Sequence, residues 1–325
     1  GGGTPSLLSG EQIGQLMDRI REQFAMAQDA EITMEVNPGT ASAEKLRNFY
    51  TAGINRLSIG MQSAQAEELK NLGRIHDFEG FCQVYREAVE AGFTNINVDI
   101  MSGLPGQTLA SYRDTLEKVL HLEPMPQHIS AYSLIVEEGT PFAAMAERGE
   151  LPLPEEETER AMYEETIEVL AKYGFHRYEI SNYARDGYEC RHNVGYWIRR
   201  DYLGFGIGAA SLIDNVRFQN EKSLGAYLAH PLESREEEQT LTVQDRMEET
   251  MFLGLRLTRG VSCVDFAEQY GRTVEEVYGE VIARNVADGL LTVTERKENQ
   301  KKDRFLALTK RGLDLSNYVM AQFLF

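Results

Sequence analysis

The sequence is poor in cysteine: Cys82, Cys190 and Cys263 are the 3 in 325 residues, and no two form a C-x-x-C pair. That scatter excludes a disulfide framework and points to a reducing, cytoplasmic setting. It also supplies no closely spaced ligand set for an iron–sulfur cluster. No apolar run approaches the roughly 20 residues that a membrane-spanning helix requires. Positive charge is scarce as well: 33 Lys and Arg stand against 51 Asp and Glu, a net charge of −18. An acidic surface repels nucleic acid and anionic lipid, so neither is expected as a general partner. Trp197 is the only tryptophan. The hydrophobic share, 42%, is ordinary for a globular protein, and the length suffices for two domains.

What is present begins at the first residue. Gly1-Gly2-Gly3-Thr4-Pro5-Ser6 places three glycines in a row, which lets backbone approach a ligand with no Cβ in the way. No strand precedes them to hold such a turn, so the sequence reads as one whose first segment, with part of the chemistry, lies upstream.

The first half alternates strand and helix. Strands are expected at 32–37, 56–61, 95–101, 128–134 and 177–183, and helices at 11–27, 43–52, 78–91, 109–121 and 155–173. Alternating βα units imply a parallel sheet or barrel. Within the strands apolar and polar residues alternate. Ile32, Met34 and Val36 oppose Thr33, Glu35 and Asn37; Leu57, Ile59 and Met61 oppose Ser58, Gly60 and Gln62; Ile96, Val98 and Ile100 oppose Asn97 and Asp99. One face is therefore expected against helices and the other lined for a polar ligand, as in a wide or incomplete barrel. An antiparallel sheet with one wet face shows the same alternation, but the intervening helices favour parallel crossovers.

From about Pro231 the character changes. Glu236–Glu238 reads as a solvated acidic run. Helices are expected at 243–257, 261–270 and 274–288, then strands at 291–295 and 304–308 with a charged turn between. Three helices and a hairpin make a winged-helix-like α+β module. Such modules often bind DNA, but the acidic chain favours a lid or docking role. The organisation expected is 1–175 as a partial (β/α) barrel, 176–235 as a connecting segment and 236–325 as the C-terminal module.

Polar groups at successive strand ends admit a common task. The backbone of residues 1–4 suits an ammonium group, Glu35 a cation, and Arg74 a carboxylate. Asp99 can accept from a ribose diol, and Gln62 both donates and accepts. Singly, Arg74 reads as a surface ion pair, Asp99 as a helix cap and Glu35 as a solvated strand residue. Jointly they describe a site for a zwitterionic amino acid joined to a nucleoside, which fits S-adenosylmethionine.

Five segments occur in order: Gly1–Ser6, Glu35-Val36-Asn37-Pro38, Ser58-Ile59-Gly60-Met61-Gln62-Ser63, Leu72-Gly73-Arg74-Ile75-His76, and Asp99-Ile100-Met101-Ser102-Gly103-Leu104-Pro105-Gly106-Gln107-Thr108. With these the chain resembles the radical-SAM proteins related to oxygen-independent coproporphyrinogen III oxidase, over nearly its whole length. The resemblance implies a TIM-like partial barrel and S-adenosylmethionine contacts from Gly2, Gly3, Thr4, Glu35, Gln62, Arg74 and Asp99, with Tyr132 nearby. It also implies a 4Fe–4S cluster held by an upstream C-x-x-x-C-x-x-C loop. The sequence departs from the family here, since no such loop is in it.

Two branches share these motifs. One is the oxidase, which decarboxylates two propionates through a 5′-deoxyadenosyl radical; the other is a heme-chaperone branch. His192-Asn193-Val194-Gly195-Tyr196-Trp197 resembles the H-N-x-x-Y-W motif of the second. An imidazole ligates iron, and Tyr196 and Trp197 offer flat surfaces to a macrocycle, although a core histidine beside a packed tryptophan gives the same pattern. His192, Asn193, Tyr196 and Trp197 are the heme-binding candidates, and His192 is the candidate iron ligand. The resemblance implies delivery of heme to acceptor proteins, membrane-associated ones included, and allows a homodimer. The oxidase activity stays open as the alternative, and a DNA-binding regulator is a more remote one.

Overall fold

A computed structural model describes residues 3–231, 233, 235–298 and 301–324; Gly1 and Gly2, two of the residues expected at the ligand, lie outside them. The chain divides into two units, Gly1–Arg177 with Ser181–Glu189, and Tyr178–Ile180 with Cys190–Phe325.

In the first unit a 3-10 turn, Pro5–Leu7, precedes α1 (Gly10–Gln23), β1 (Thr33–Val36), α2 (Ala43–Thr51), β2 (Arg56–Gln62), α3 (Ala66–Asn71), α4 (Phe78–Ala91), β3 (Ile96–Ser102), α5 (Leu109–Leu120) and β4 (His128–Ser133). Then follow α6 (Pro141–Glu147), α7 (Glu156–Lys172), β5 (His176–Arg177) and β6 (Asn182–Ala184). Among the described residues they form one six-stranded sheet ordered β1-β2-β3-β4-β6-β5. The first four strands pair in parallel, and β6 runs antiparallel to both β4 and β5. The sheet is open, with β1 and β5 at its edges, as an α/β partial barrel requires.

Strand periodicity sorts the side chains. Met34, Val36, Leu57, Ile59, Met61, Ile96, Val98 and Ile100 are buried in one core with residues of α1, α2, α4, α5 and α7. Phe49, Phe81, Tyr85, Tyr112 and Leu116 supply the helical side of it, each contributing about 1.5–3 kcal/mol by leaving water. The opposite face of the same strands carries Glu35, Ser58, Asn97, Asp99, Ser130 and Tyr132. The one-sided alternation thus follows from helices covering a single face.

The strand expected over 177–183 is a correction. It is broken into β5 and β6, because Tyr178–Ile180 leaves this unit; Glu179 forms an isolated bridge with Leu257 and Ile180 packs in the second core.

The second unit contains α8 (Arg191–Trp197), β7 (Ala210–Ile213), β8 (Val216–Asn220), α9 (Leu224–Ala229), β9 (Arg235–Thr240) and α10 (Val243–Gly254). It continues with β10 (Val261–Ser262), α11 (Cys263–Tyr270), α12 (Val274–Ala287), β11 (Leu291–Glu298), β12 (Lys301–Leu308), α13 (Lys310–Asp314) and α14 (Ser316–Ala321). Helices α10 to α12 and the sheet β10-β12-β11 form the winged-helix-like module, around Met251, Leu255, Phe266, Tyr278 and Phe323. The acidic residues 236–238 lie on the edge strand β9, with Glu237 and Glu238 exposed. Among the described residues no helix is long and apolar enough to cross a membrane.

Candidate functional site

The polar face of the parallel sheet is built in layers by strand register. Arg56, opposite Thr33, is the lowest; its side chain is buried and its Nε has no hydrogen-bond partner. Above it Ser58 pairs with Asn97 and Asn97 with His128. The next layer aligns Gly60, Asp99 and Ser130. The top layer holds Gln62 and Tyr132.

Hydrogen bonds run upward through these layers. With its Nδ1 protonated, buried His128 donates to Asn97 Oδ1 at 2.6 Å. Ser130 donates to the same oxygen at 3.2 Å. The Asn97 amide donates to Ser58 Oγ at 2.7 Å and to Asp99 Oδ1 at 2.8 Å. Ser58 donates to Asp99 Oδ2 at 3.1 Å. Burial pushes the Asp99 carboxyl up from the ordinary carboxylate value, against the opposing pull of Asn97, Ser130, Ser58 and the Arg56 charge. Burial holds His128 well below the usual imidazole range, reinforced by Arg56, so it is a neutral donor.

Gln62 ends β2 in an unusual way. Its φ is 68°, and the β2–β3 register slips between Gly60 and Gln62. This bulge turns the buried amide inward, where Tyr132 donates to Gln62 Oε1 at 3.0 Å. A Cβ on Gly60 would lie 2.9 Å from Gln62 Nε2, so glycine is what leaves room for the turned side chain. Tyr132→Phe is expected to lower stability by about 0.5–1.5 kcal/mol, the worth of one hydrogen bond. Urea unfolding checks this; an unchanged midpoint would show that Gln62 is held without the phenol.

Arg74 arrives at this edge through the end of α3. Gly73, with φ 67°, donates to Lys70 O, and Arg74 N–H donates to Leu69 O at 2.9 Å. That is a Schellman close, and the left-handed residue it requires explains the glycine. Four of the expected residues act on Tyr132: its hydroxyl is pushed up to about 12 by burial, further by the charges of Asp99 and Glu35, and is held back by its hydrogen bond to Gln62 and by the Arg74 charge. Glu35 itself is exposed and Arg74 part-buried. The turn that Gly3 and Thr4 lead into sits at the end of β1: Ser6 Oγ lies 2.6 Å from Thr40 Oγ1 and accepts from Asn37 N–H at 3.2 Å. A carboxylate, an amide and a phenol thus stand towards the carboxyl ends of neighbouring parallel strands, with Arg74 in the turn that closes α3, and α/β sheets bind ligands at such ends.

Sequence reasoning missed the support under Asp99, namely Arg56, His128 and Ser130. It also left Asn97 as no more than a polar-face residue. The signal was available: Asn97 precedes Asp99 by two and shares its face. Glu68 was missed altogether. It is buried and accepts from Ser63 Oγ at 2.6 Å, Gln107 Nε2 at 3.0 Å and Ser111 Oγ at 2.6 Å, tying together the loops after β2 and β3.

The residues present do not fit an iron–sulfur cluster. Among the described residues no group of three His, Cys, Asp or Glu is placed to hold a metal ion. Burial pushes the Cys82 thiol up and the Cys263 thiol up to about 11, away from the thiolate that a metal needs.

In the second unit, α8 carries the other candidate residues. His192 is exposed and Asn193 part-buried. His192 and Tyr196, four apart on the helix, pack edge to face at 4.7 Å between centroids. Tyr196 meets Tyr202 in the same way at 4.7 Å. The Trp197 indole N–H is buried without a partner, and the Arg256 guanidinium lies 4.4 Å from its ring centre.

Comparison with known proteins gives a consistent likeness. Residues 1–119 match the radical SAM superfamily, and residues 241–315 the HemN C-terminal domain. The heme chaperone HemW of Bacillus subtilis (strain 168) is 39% identical over 331 residues, covering 100% of this chain and 84% of that protein. That of Escherichia coli (strain K12) is 36% identical over 300 residues, covering 90% and 76%. Among solved structures, the coproporphyrinogen III oxidase HemN from Escherichia coli, a radical SAM enzyme, superposes with a TM-score of 0.81 at 25% identity, over 99% of this chain and 76% of that one.

Proposed function

The chain belongs to the HemW family of radical-SAM heme chaperones, and from that membership we propose that it binds S-adenosylmethionine at the polar edge of its parallel sheet, binds heme through α8 and passes the heme to acceptor proteins. The observation that supports the first part is the Tyr132–Gln62 hydrogen bond at 3.0 Å above the Asp99 layer of the sheet, with the charges of Asp99, Glu35 and Arg74 acting on the same phenol. A bound S-adenosylmethionine supplies an adenosyl group activated by its sulfonium. Glu35 faces the ammonium, the planar Arg74 fork holds the carboxylate, and Asp99 accepts from the ribose hydroxyls. The backbone near Gly3 and Thr4 borders the amino-acid end, with Gln62 and Tyr132 closing the layer above Asp99.

For heme, the support is an exposed imidazole on α8 edge to face with Tyr196, which meets Tyr202 in the same way. His192 would ligate the iron, with Asn193, Tyr196 and Trp197 about the macrocycle. Scattered cysteines favour a reducing compartment, so the cytoplasm is the location proposed, and membrane-associated hemoproteins are acceptors in reach of it. A homodimer is compatible with the proposal and is not required by it.

Heme titration with the wild type and His192→Ala tests the heme part. The variant is expected to lose the histidine–iron absorption signature and at least tenfold in affinity. An unchanged spectrum and affinity would remove His192 from the account. The likeness to the oxidase favours a second reading, oxidative decarboxylation of coproporphyrinogen III. Protoporphyrinogen IX formed from that substrate with S-adenosylmethionine and reductant would establish it, and its absence is the expected result.

A further inference from the structure

Behind α8 lies a cavity of about 320 Å³ whose walls include Tyr196, Trp197, Tyr202 and Phe252. Two arginines and one carboxylate stand in it. Arg199 Nε donates to Glu249 Oε2 at 2.7 Å, and Arg217 Nη1 donates to Glu249 Oε1 at 2.7 Å. The Arg199 and Glu249 side chains are 4% and 8% exposed, so the pair is out of water. Glu249 is then shared between two guanidinium groups, and one positive charge is left over. Arg199 Nη2, also buried, has no hydrogen-bond partner. A buried charge with an unmet donor is costly unless a counter-group completes it.

The backbone holds Arg199 there against its preference. Arg199 follows α8 with φ 53°, a conformation an arginine adopts at a cost. Tyr202 is fixed beside it by a reciprocal bridge with Leu212 in β7, both N–H···O distances being 2.9 Å. Asp245, whose carboxyl also feels Arg217, is part-buried and accepts from the Thr242 N–H and hydroxyl in the capping box of α10. Its charge is therefore spent at the helix end and does not fill the cavity.

We propose that this cavity is a carboxylate subsite: it takes an acidic substituent of a flat aromatic ligand, bound by Arg199 Nη2 within the Arg199–Glu249–Arg217 triad, with the ring edge against Tyr196 and Trp197. The volume lies at the lower limit for a small-molecule site. It admits one edge of a macrocycle and not the whole. The proposal rests on the heme reading, since α8 supplies both the cavity wall and His192, and it makes a porphyrin propionate the occupant. Arginine is the residue suited to this, because its planar fork holds one carboxylate on one side and offers donors to a second on the other.

The test uses metal-free protoporphyrin IX and its dimethyl ester, with binding followed by quenching of Trp197, the only tryptophan of the chain. The wild type is expected to bind the free acid at least tenfold more tightly than the ester. Arg217→Gln, which leaves a neutral Arg199–Glu249 pair, is expected to bring acid and ester within twofold of each other. Arg217→Lys keeps the charge and is expected to restore part of the preference. Equal affinity of the wild type for acid and ester would overturn the subsite, and that comparison needs no variant to fold. Heme binding through His192 with no acid preference would leave the heme reading standing and remove this inference. Failure to bind either heme or porphyrin would remove both.

Discussion

Asp99→Asn is expected to weaken S-adenosylmethionine binding by about 2–3 kcal/mol, a 30- to 150-fold rise in Kd, as for loss of a charged hydrogen-bond acceptor. The same variant is expected to be no less stable than the wild type. Folding raises the pKa of Asp99 above its unfolded value of 3.8. The folded protein then binds more protons at this site than the unfolded chain, and stability falls as pH rises through the raised pKa. Below the unfolded value the penalty is absent; above the folded value it is complete. The amide introduced by Asp99→Asn carries no such penalty, so the stability difference in the variant's favour should grow from about pH 4 upward and then level off. The amide fits the existing bonds: Asn97 still donates to its oxygen, and the Ser58 hydroxyl can accept where it now donates. Calorimetric titration and urea unfolding across pH read both effects. Loss of binding with a matching loss of stability would mean that Asp99 is a structural residue.

Glu68→Ala is expected to have the largest effect on stability, about 3–5 kcal/mol, because it removes the shared acceptor of three donors, two of them buried, at Ser63 and Gln107. Ser63 is at the end of β2, Gln107 in the loop after β3 and Ser111 in the first turn of α5, and all three converge on one carboxylate. Gln107 passes the constraint on, since its amide also donates to Met101 O at 3.1 Å and its Oε1 accepts from Leu104 N–H at 3.2 Å. Glu68→Gln keeps one good acceptor but turns an amide towards a donor, and should cost about 1–2 kcal/mol. Urea midpoints decide. A neutral Glu68→Ala would show that the two loops hold their shape without this bond set.

These two residues also mark the limits of what could be read from the sequence. Asp99 was legible because strand alternation put it on the polar face in line with Glu35 and Gln62. Its supporters were harder to see. Asn97 and His128 act through register between strands, and a single sequence does not display which residues sit side by side. Glu68 looks like any surface glutamate on a short helix; three-dimensional convergence of distant serines and a glutamine is what makes it central. The helices were legible from period and punctuation, with α4 matching residue for residue. The sheet β7-β8-β9 was not, although its turn was visible: Asp214-Asn215, with φ 49° and 65°, is a two-residue hairpin between Ala210–Ile213 and Val216–Asn220. Strand residues 178–180 left the first sheet because they build the second unit, which local pattern does not reveal. On α8, His192, Tyr196 and Trp197 were read from one short motif, whereas Arg199 and its triad needed coordinates, since Arg217 and Glu249 come from β8 and α10.

Hydrogen–deuterium exchange of the protein with and without S-adenosylmethionine addresses the central claim most directly. If the carboxyl ends of the parallel strands form one pocket for this ligand, protection will appear together in the segments 35–37, 60–64, 72–76 and 99–103 and will need about 30- to 150-fold more ligand in Asp99→Asn. Protection confined to residues 190–325, or none at any concentration that saturates binding, would contradict it.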